Sequence, residues 1–219
     1  MTIQAVVFDL DGVIVDSEHL WEEAWRACCR RRGVGWSRDD TTTVQGMSAP
    51  EWSAYVARKL TDGTTADVVA DECVGHVIEA VHNDEAPLLT GAGELVAATA
   101  ARVPIGLASS AARRVIDAVL VEHELTERFS ATVSSEEVDR GKPHPDVYLA
   151  ATRRLGLAPE SCLAIEDSGN GIRAAHAAGL YVVAIPNAVY PPKADAVKLA
   201  DYVARDHAEA TRHIEQRLP

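Results

Sequence analysis

The fold of this chain is decided by the stretch Ala5-Val6-Val7-Phe8-Asp9-Leu10-Asp11-Gly12. An apolar run without polar alternation is typical of a strand that is buried on both faces of a parallel sheet. Asp9 and Asp11 follow this run, at the point where such a strand meets solvent. Two neighbouring carboxylates are electrostatically costly unless a cation or a reaction uses them. The stretch therefore predicts a functional site at the end of the first strand.

Similar short apolar runs occur at residues 105–108, 162–165 and 181–185, with a weaker one at 131–133. Segments with helical spacing of Ala, Leu and charged residues separate these runs, at residues 91–101, 113–125, 145–155 and 169–178. Strands that alternate with helices predict an α/β core with a doubly wound parallel sheet.

Residues 16–86 break this alternation, because their periodicity is helical and they contain no comparable strand run. The first helix of this segment is amphipathic, with one face formed by Trp21, Ala24, Trp25 and Cys28. Further helices are predicted at 50–60 and 66–81. The sequence thus predicts a core domain, residues 1–15 and 87–219, and an inserted all-α cap domain, residues 16–86.

The composition is that of a globular protein with a sizeable core: 219 residues, 47% hydrophobic, with a net charge of −12. The negative charge argues against nucleic acid or an anionic membrane as a partner. No apolar stretch approaches the roughly 20 residues of a membrane span, and residues 1–4 lack the basic start of a signal peptide. We expect a cytoplasmic protein, a monomer or weak dimer, whose four cysteines are reduced packing residues.

Polar residues follow the apolar runs in a consistent way. Open α/β sheets bind ligands at the carboxyl ends of their strands. Asp9, Ser109 with Ser110, and Glu166 with Asp167 occupy these positions, and Lys142 follows the weaker run by a short loop. Several carboxyl groups in one pocket cannot all ionise without a compensating cation, and hard oxygen ligands select Mg²⁺. Mg²⁺ is therefore the predicted cofactor.

These residue types suit phosphoryl transfer. The Asp9 carboxylate can attack phosphorus and form an aspartyl-phosphate that water later hydrolyses. Asp11 can protonate the leaving oxygen in the first step and deprotonate water in the second. Ser109, Ser110 and nearby backbone N–H groups can bind the phosphoryl oxygens, whose charge Lys142 neutralises. The predicted ligand is a small phosphorylated metabolite.

The chain also resembles a known family, the haloacid dehalogenase-like hydrolases, in the branch with a helical cap that includes β-phosphoglucomutases and phosphoglycolate phosphatases. The resemblance rests on four motifs in order: Asp9-Leu10-Asp11-Gly12-Val13, Ala108-Ser109-Ser110, Gly141-Lys142-Pro143-His144-Pro145-Asp146, and Glu166-Asp167-Ser168 with Gly171. It implies a Rossmann-like core under a mobile cap. It also implies a metal held by Asp9, the backbone carbonyl of Asp11, Asp167 and Glu166. From its position alone, Glu166 is either a ligand or a hydrogen-bond acceptor.

The cap supplies the candidates for substrate specificity. Gly and Pro bracket the loop 46–50, which contains Gly46, Met47 and Ser48. His19 lies near the expected cleft. All four tryptophans fall in the first half of the cap and are expected to form its core, with Trp21 or Trp52 as the ring that faces the cleft.

The reaction favoured by these patterns is hydrolysis of a small organic phosphate, such as a sugar phosphate. In the resembling β-phosphoglucomutases, a cap arginine grips a second phosphate, and Ala49 stands at that position here. Transfer of phosphate between sugar positions is nevertheless kept as one alternative. A protein that binds phosphorylated metabolites without catalysis is a second, against which the intact Asp9 and Asp11 argue.

Overall fold

The computed structural model describes residues 2–219, so Met1 of the predicted core range lies outside the described residues. In the described chain, one parallel sheet has the strand order β3-β2-β1-β4-β5-β6. The strands are β1 (Ala5–Phe8), β2 (Ile105–Ser109), β3 (Phe129–Ser134), β4 (Cys162–Glu166), β5 (Tyr181–Ala184) and β6 (Tyr202–Val203). The predicted α/β fold with a parallel sheet is confirmed. The two-residue strand β6 is too short to carry a sequence pattern.

The helices are α1 (Glu18–Arg31), α2 (Arg38–Val44), α3 (Ala49–Leu60), α4 (Ala66–His82), α5 (Ala92–Ala100), α6 (Arg113–Glu122), α7 (Asp146–Leu155), α8 (Gly169–Ala178), α9 (Ala194–Val197) and α10 (His207–Glu215). Short 3-10 turns occur at Thr126–Arg128, Ser135–Glu137 and Pro159–Ser161. Helix α6 ends before the predicted residue 125 because Glu124 adopts a φ of +55°. Pro145, predicted in the first turn of α7, is its N-cap residue.

Helices cover both faces of the sheet, as in a doubly wound fold. Val6 and Phe8 of β1 pack in the core that includes residues of α5, α6 and α10. Ala5 and Val7 point the other way, into the core formed with α7 and α8. Because successive residues of a strand alternate between faces, a strand covered on both sides must be apolar throughout. The uninterrupted run in β1 follows from this requirement.

Helices α1–α4 form the segment between β1 and α5, here called the helical insert. The predicted apolar face of α1 is buried, including Trp21, Trp25 and Cys28. Rings of Trp21, Trp25 and Trp52 lie with centroids 5.6–6.2 Å apart and form the centre of the insert. All four cysteines are free and buried. The exact boundaries at 15/16 and 86/87 stay a prediction.

The helical insert contacts the core at several places. Helix α4 packs against α6. At the loop between α2 and α3, a Cβ added to Gly141 would lie 2.7 Å from Cβ of Ser48, and one added to Gly46 would lie 3.3 Å from Nδ2 of Asn170. The insert therefore lies directly over the carboxyl ends of the strands. Within residues 2–219, no helix is both long and apolar enough to cross a bilayer.

Candidate active site

The sheet brings the predicted site residues to one edge. Asp9 directly follows β1, while Ser109 and Glu166 are the last residues of β2 and β4. β1 lies between β2 and β4, so these three residues end adjacent strands. The backbone therefore positions the site before any side-chain contact is considered.

Lys142 joins Asp9 to Glu166. Its Nζ donates to Oδ1 of Asp9 at 2.7 Å and to Oε1 of Glu166 at 2.6 Å, and only 3% of the residue is exposed. Burial lowers the pKa of Lys142, but the two carboxylates outweigh burial and hold the pKa above its ordinary value. The lysine is therefore a fixed positive charge beside Asp9.

Glu166 is fully buried, and its carboxylate is held by several donors. Oε1 accepts from Lys142 and from the hydroxyl of Tyr148, the latter at 2.7 Å. Oε2 accepts from the backbone N–H groups of Asp167 and Ser168 and from the Ser168 hydroxyl, at 3.1–3.3 Å. These contacts favour the hydrogen-bonding alternative for Glu166. Gly171 is required here because a Cβ would lie 1.8 Å from Oε1 of Glu166.

Asp9, Glu166 and Asp167 form a buried acidic cluster whose carboxylate oxygens lie within 4.8 Å of one another. Burial raises the pKa of Asp9 to about 8, with Glu166 and Asp11 adding to the rise and Lys142 opposing it. Burial and neighbouring carboxylates also raise the pKa of Asp167 well above its usual value. A divalent cation would lower both pKa values and keep the carboxylates ionised. This donor set fits Mg²⁺, a hard ion that prefers oxygen ligands.

Gly12 makes room for the cluster. It has a φ of +77°, and a Cβ added to it would lie 2.1 Å from Oδ2 of Asp167. Both the backbone conformation and the close approach require glycine at this position.

Asp11 is oriented by residues at the start of the helical insert. Its Oδ1 accepts from the hydroxyl of Ser17 at 2.5 Å and from Nε1 of Trp21 at 3.0 Å. Trp21 thus contacts the second aspartate of the pair, a contact that sequence spacing could not predict.

A pocket lies between the core and the helical insert. Core residues lining it are Asp9, Asp11, Ser110, Ala111, Lys142, Asp167, Ser168 and Tyr190. Insert residues lining it are Glu18, Trp21, Trp25, Thr41, Val44, Gln45, Gly46, Met47 and Trp52. The structure thus brings Trp21, Gly46, Met47 and Trp52, all predicted specificity residues, to the aspartate pair.

Four predicted residues do not line the pocket, and the fully buried Glu166 is one of them. His19 is half-exposed, with Nδ1 3.6 Å from Asp16. Ser48 caps α3 through Glu51, which accepts from its hydroxyl at 2.5 Å. Ser109 is buried, and its Oγ accepts from the backbone N–H of Ala111 at 3.0 Å. The described contacts give no support to a substrate contact by His19 or Ser48.

The sequence patterns do not predict several residues that line the pocket or contact its lining. Asn187 donates through Nδ2 to Oε2 of Glu18 at 2.6 Å and to Oδ2 of Asp167 at 3.2 Å. It follows β5, so the rule that polar residues after apolar runs form the site could have found it. Glu18 and Gln45 carry no comparable signal, because only the packing of the insert brings them to the pocket. Tyr190 lies farther along the loop after β5, where its sequence position gives no such signal.

Comparisons with known proteins agree with this geometry. The sequence model of a family described as haloacid dehalogenase-like hydrolase matches residues 3–179. Hexitol phosphatase B of Escherichia coli K12 is 34% identical over 190 residues, which cover 84% of each chain. Protein CbbY of Rhodobacter capsulatus is 30% identical over 229 aligned positions that cover both chains completely. A crystal structure of CbbY from Rhodobacter sphaeroides in complex with phosphate superposes with a TM-score of 0.83, at 26% identity, over 94% of this chain and 96% of that one.

Proposed function

The chain belongs to the haloacid dehalogenase-like hydrolases, and we propose that it is a magnesium-dependent phosphatase of a small sugar or polyol phosphate that works through an aspartyl-phosphate. It is a hydrolase of phosphate monoesters, as are its named phosphatase relatives. One observation carries the proposal: Asp9 lines the pocket beside Asp11, with its Oδ1 2.7 Å from Nζ of Lys142. A nucleophile, an acid/base and a cation for the phosphoryl charge thus share one pocket.

In the first step, an Asp9 oxygen attacks phosphorus as the bond between phosphorus and the ester oxygen breaks. Asp11, in its protonated form, gives its proton to the departing oxygen, and the alcohol leaves. In the second step, Asp11 accepts a proton from water as the water oxygen attacks phosphorus. The bond from phosphorus to Asp9 breaks, inorganic phosphate is released, and both aspartates regain their starting states.

The surrounding residues hold the phosphoryl group. Lys142 neutralises its charge, and Glu166 and Tyr148 fix the position of Lys142. The Ser110 hydroxyl is buried in the described structure without a hydrogen-bond partner, so it is available to a phosphoryl oxygen. When bound by Asp9, Asp167 and the backbone carbonyl of Asp11, Mg²⁺ would supply Lewis-acid stabilisation of the phosphoryl charge.

The test is phosphate release from p-nitrophenyl phosphate and a sugar-phosphate panel, with Mg²⁺ and with EDTA. We expect turnover that requires Mg²⁺ and that falls by at least about a thousandfold in Asp9→Asn, because the amide is a poor nucleophile. Asp16→Asn is the matched control, since Asp16 is exposed and lies outside the pocket lining. It should keep wild-type activity.

Three results would contradict the proposal. Absence of turnover across the panel would favour a non-catalytic binding protein, and near-normal activity of Asp9→Asn would exclude its nucleophilic role. A phosphomutase would instead convert β-glucose 1-phosphate, with a bisphosphate primer, to glucose 6-phosphate without matching free phosphate.

A further inference from the structure

The charges around the pocket are strongly unbalanced. Its carboxylates are Asp9, Asp11, Glu18 and Asp167. Among the lining residues of the described chain, Lys142 is the single Lys, Arg or His, and it already contacts Asp9 and Glu166. When bound, Mg²⁺ would join Lys142 in offsetting the charge of one phosphoryl group and its neighbouring carboxylates, and these negative charges already outnumber the positive ones. No cation in the pocket lining remains for a second anionic group on the substrate.

Basic residues elsewhere in the helical insert do not change this balance. Arg26 donates to Glu22 through Nε at 2.8 Å, and Nζ of Lys59 lies 3.0 Å from Asp40. Arg38 is exposed at the start of α2 and is not a lining residue. The side of the pocket away from Lys142 is therefore acidic and aromatic.

That side offers hydrogen-bonding groups suited to hydroxyls. Glu18 is held by Gln45 at 3.0 Å on Oε1 and by Asn187 at 2.6 Å on Oε2. Each carboxylate oxygen has a second lone pair, which can accept from a substrate hydroxyl. A phosphate dianion or a carboxylate has no proton to donate and would be repelled at the same place.

The aromatic residues of the pocket also favour a leaving group that carries hydroxyls. Trp25 lines the pocket, and its Nε1 is buried without a hydrogen-bond partner in the described chain. A buried donor without a partner is costly, so a ligand oxygen that accepts from it would gain binding energy. Together with Trp21 and Trp52, which also line the pocket, this arrangement suits a carbon skeleton that carries several hydroxyls.

Building on the function proposed above, we propose that the pocket selects monophosphates of uncharged sugars or polyols, and that Glu18 excludes substrates with a second phosphate or a carboxylate. The selectivity is the difference between the affinity for a monophosphate and the affinity for a substrate with a second anionic group. It rests on repulsion by the Glu18 carboxylate rather than on an added contact. Glu18 acts on the leaving group and takes no part in the chemical steps at phosphorus.

The test is made at about pH 8, where Glu18 is ionised because burial raises its pKa only to about 7. It compares kcat/KM for the best hexose monophosphate of the panel with kcat/KM for the bisphosphate of the same hexose. We expect the wild type to prefer the monophosphate by more than about tenfold, and Glu18→Gln to reduce that preference by about tenfold, because the amide keeps the shape and removes the charge. Glu23→Gln is the control: it removes a carboxylate that is exposed on α1 and lies outside the lining, so the preference should stay unchanged.

Binding separates this inference from the proposed function. In Asp9→Asn with Mg²⁺, calorimetry should give a lower Kd for the monophosphate than for the bisphosphate even where turnover is absent. Failure of turnover with this selectivity intact would overturn only the proposed function. Equal or tighter binding of the bisphosphate, no detectable binding of either compound, or an unchanged preference in Glu18→Gln would overturn the inference.

Discussion

The hydroxyl of Tyr190, in the core, donates to Oε2 of Glu22 on α1 at 2.6 Å. One turn earlier on the same helix, Glu18 accepts from Asn187 at 2.6 Å. Tyr190 and Asn187 both belong to the loop after β5. This loop is thus tied to two successive turns of the helical insert, and these contacts favour the arrangement in which the insert covers the pocket.

The first prediction concerns the hydrogen bond from Tyr190 to Glu22. Tyr190→Phe should raise KM about three- to tenfold, because a hydrogen bond to a carboxylate that favours the closed arrangement is lost. Steady-state kinetics on the best substrate measure the effect. Tyr202→Phe is the matched control, since its hydroxyl also donates to a glutamate, Glu209 at 2.9 Å, but lies outside the pocket lining. Equal KM values for wild type and Tyr190→Phe would contradict the prediction.

The second prediction concerns the buried lysine. Lys142→Met should abolish turnover and lower the free energy of unfolding by about 3 kcal/mol at pH 7, because Asp9 and Glu166 lose their cation in a buried site. Urea unfolding without Mg²⁺ measures the loss. Lys59→Met removes a more exposed partner of Asp40, with 30% of the lysine side chain accessible, and should cost less than about 1 kcal/mol. Similar losses in the two variants would show that burial is unimportant.

The third prediction separates backbone strain from metal binding. Gly12→Ala and Gly33→Ala both place alanine at positive φ, +77° and +70°. Backbone strain should therefore lower the stability of each variant by about 1 kcal/mol. The new methyl group in Gly12→Ala would also meet Asp167, whereas nothing lies within 4 Å of a Cβ at Gly33. Titration of activity with Mg²⁺ should show that only Gly12→Ala needs a higher Mg²⁺ concentration for half-maximal activity. Identical Mg²⁺ curves for the two variants would refute a role for this contact.

The fourth prediction concerns pH. Burial raises the pKa of Glu18 from 4.5 to about 7. The folded protein therefore binds more protons than the unfolded chain across this interval, and the free energy of unfolding contributed by Glu18 falls as pH rises from 4.5 to 7. The loss is at most about 3 kcal/mol. Urea unfolding in EDTA across this range should show a shallower fall in Glu18→Gln than in the wild type.

Glu22→Gln is the control with the opposite sign. The hydrogen bond from Tyr190 is the main cause that lowers the pKa of Glu22 below 4.5. Its contribution to stability is present above pH 4.5 and is lost as pH falls through the folded-state pKa. Glu22→Gln should therefore be less stable than wild type at pH 7 but nearly equal to it at low pH. The same pH response in both variants would rule out these assignments.

Much of the site could be predicted from the sequence because parallel strands end at one edge. Buried strands leave uninterrupted apolar runs, and the residues after them must meet there. This rule predicts Asp9, Ser109 and Glu166 as site residues, and it predicts Lys142 because its loop follows another strand. The segment containing α1–α4 was recognised as helical because it lacks such runs.

Other features required the folded chain. Tyr148, within α7, donates to Glu166, but its position in the helix sequence predicts only an ordinary core residue. The short elements α2 and β6 are defined by their neighbours rather than by periodicity. His19 is near Asp11 in sequence but faces solvent beside Asp16, because α1 turns a different face to the pocket.

The sequence by itself determined the α/β fold, the aspartate pair and the class of chemistry. These properties depend on local apolar runs and on residue types at strand ends. Tertiary structure alone decided which donors hold the Glu166 carboxylate and which insert residues reach the site. Hydrogen bonds to Glu166 and the packing of Glu18 and Trp25 over the strands depend on contacts between distant segments, and the spacing along one segment does not encode such contacts.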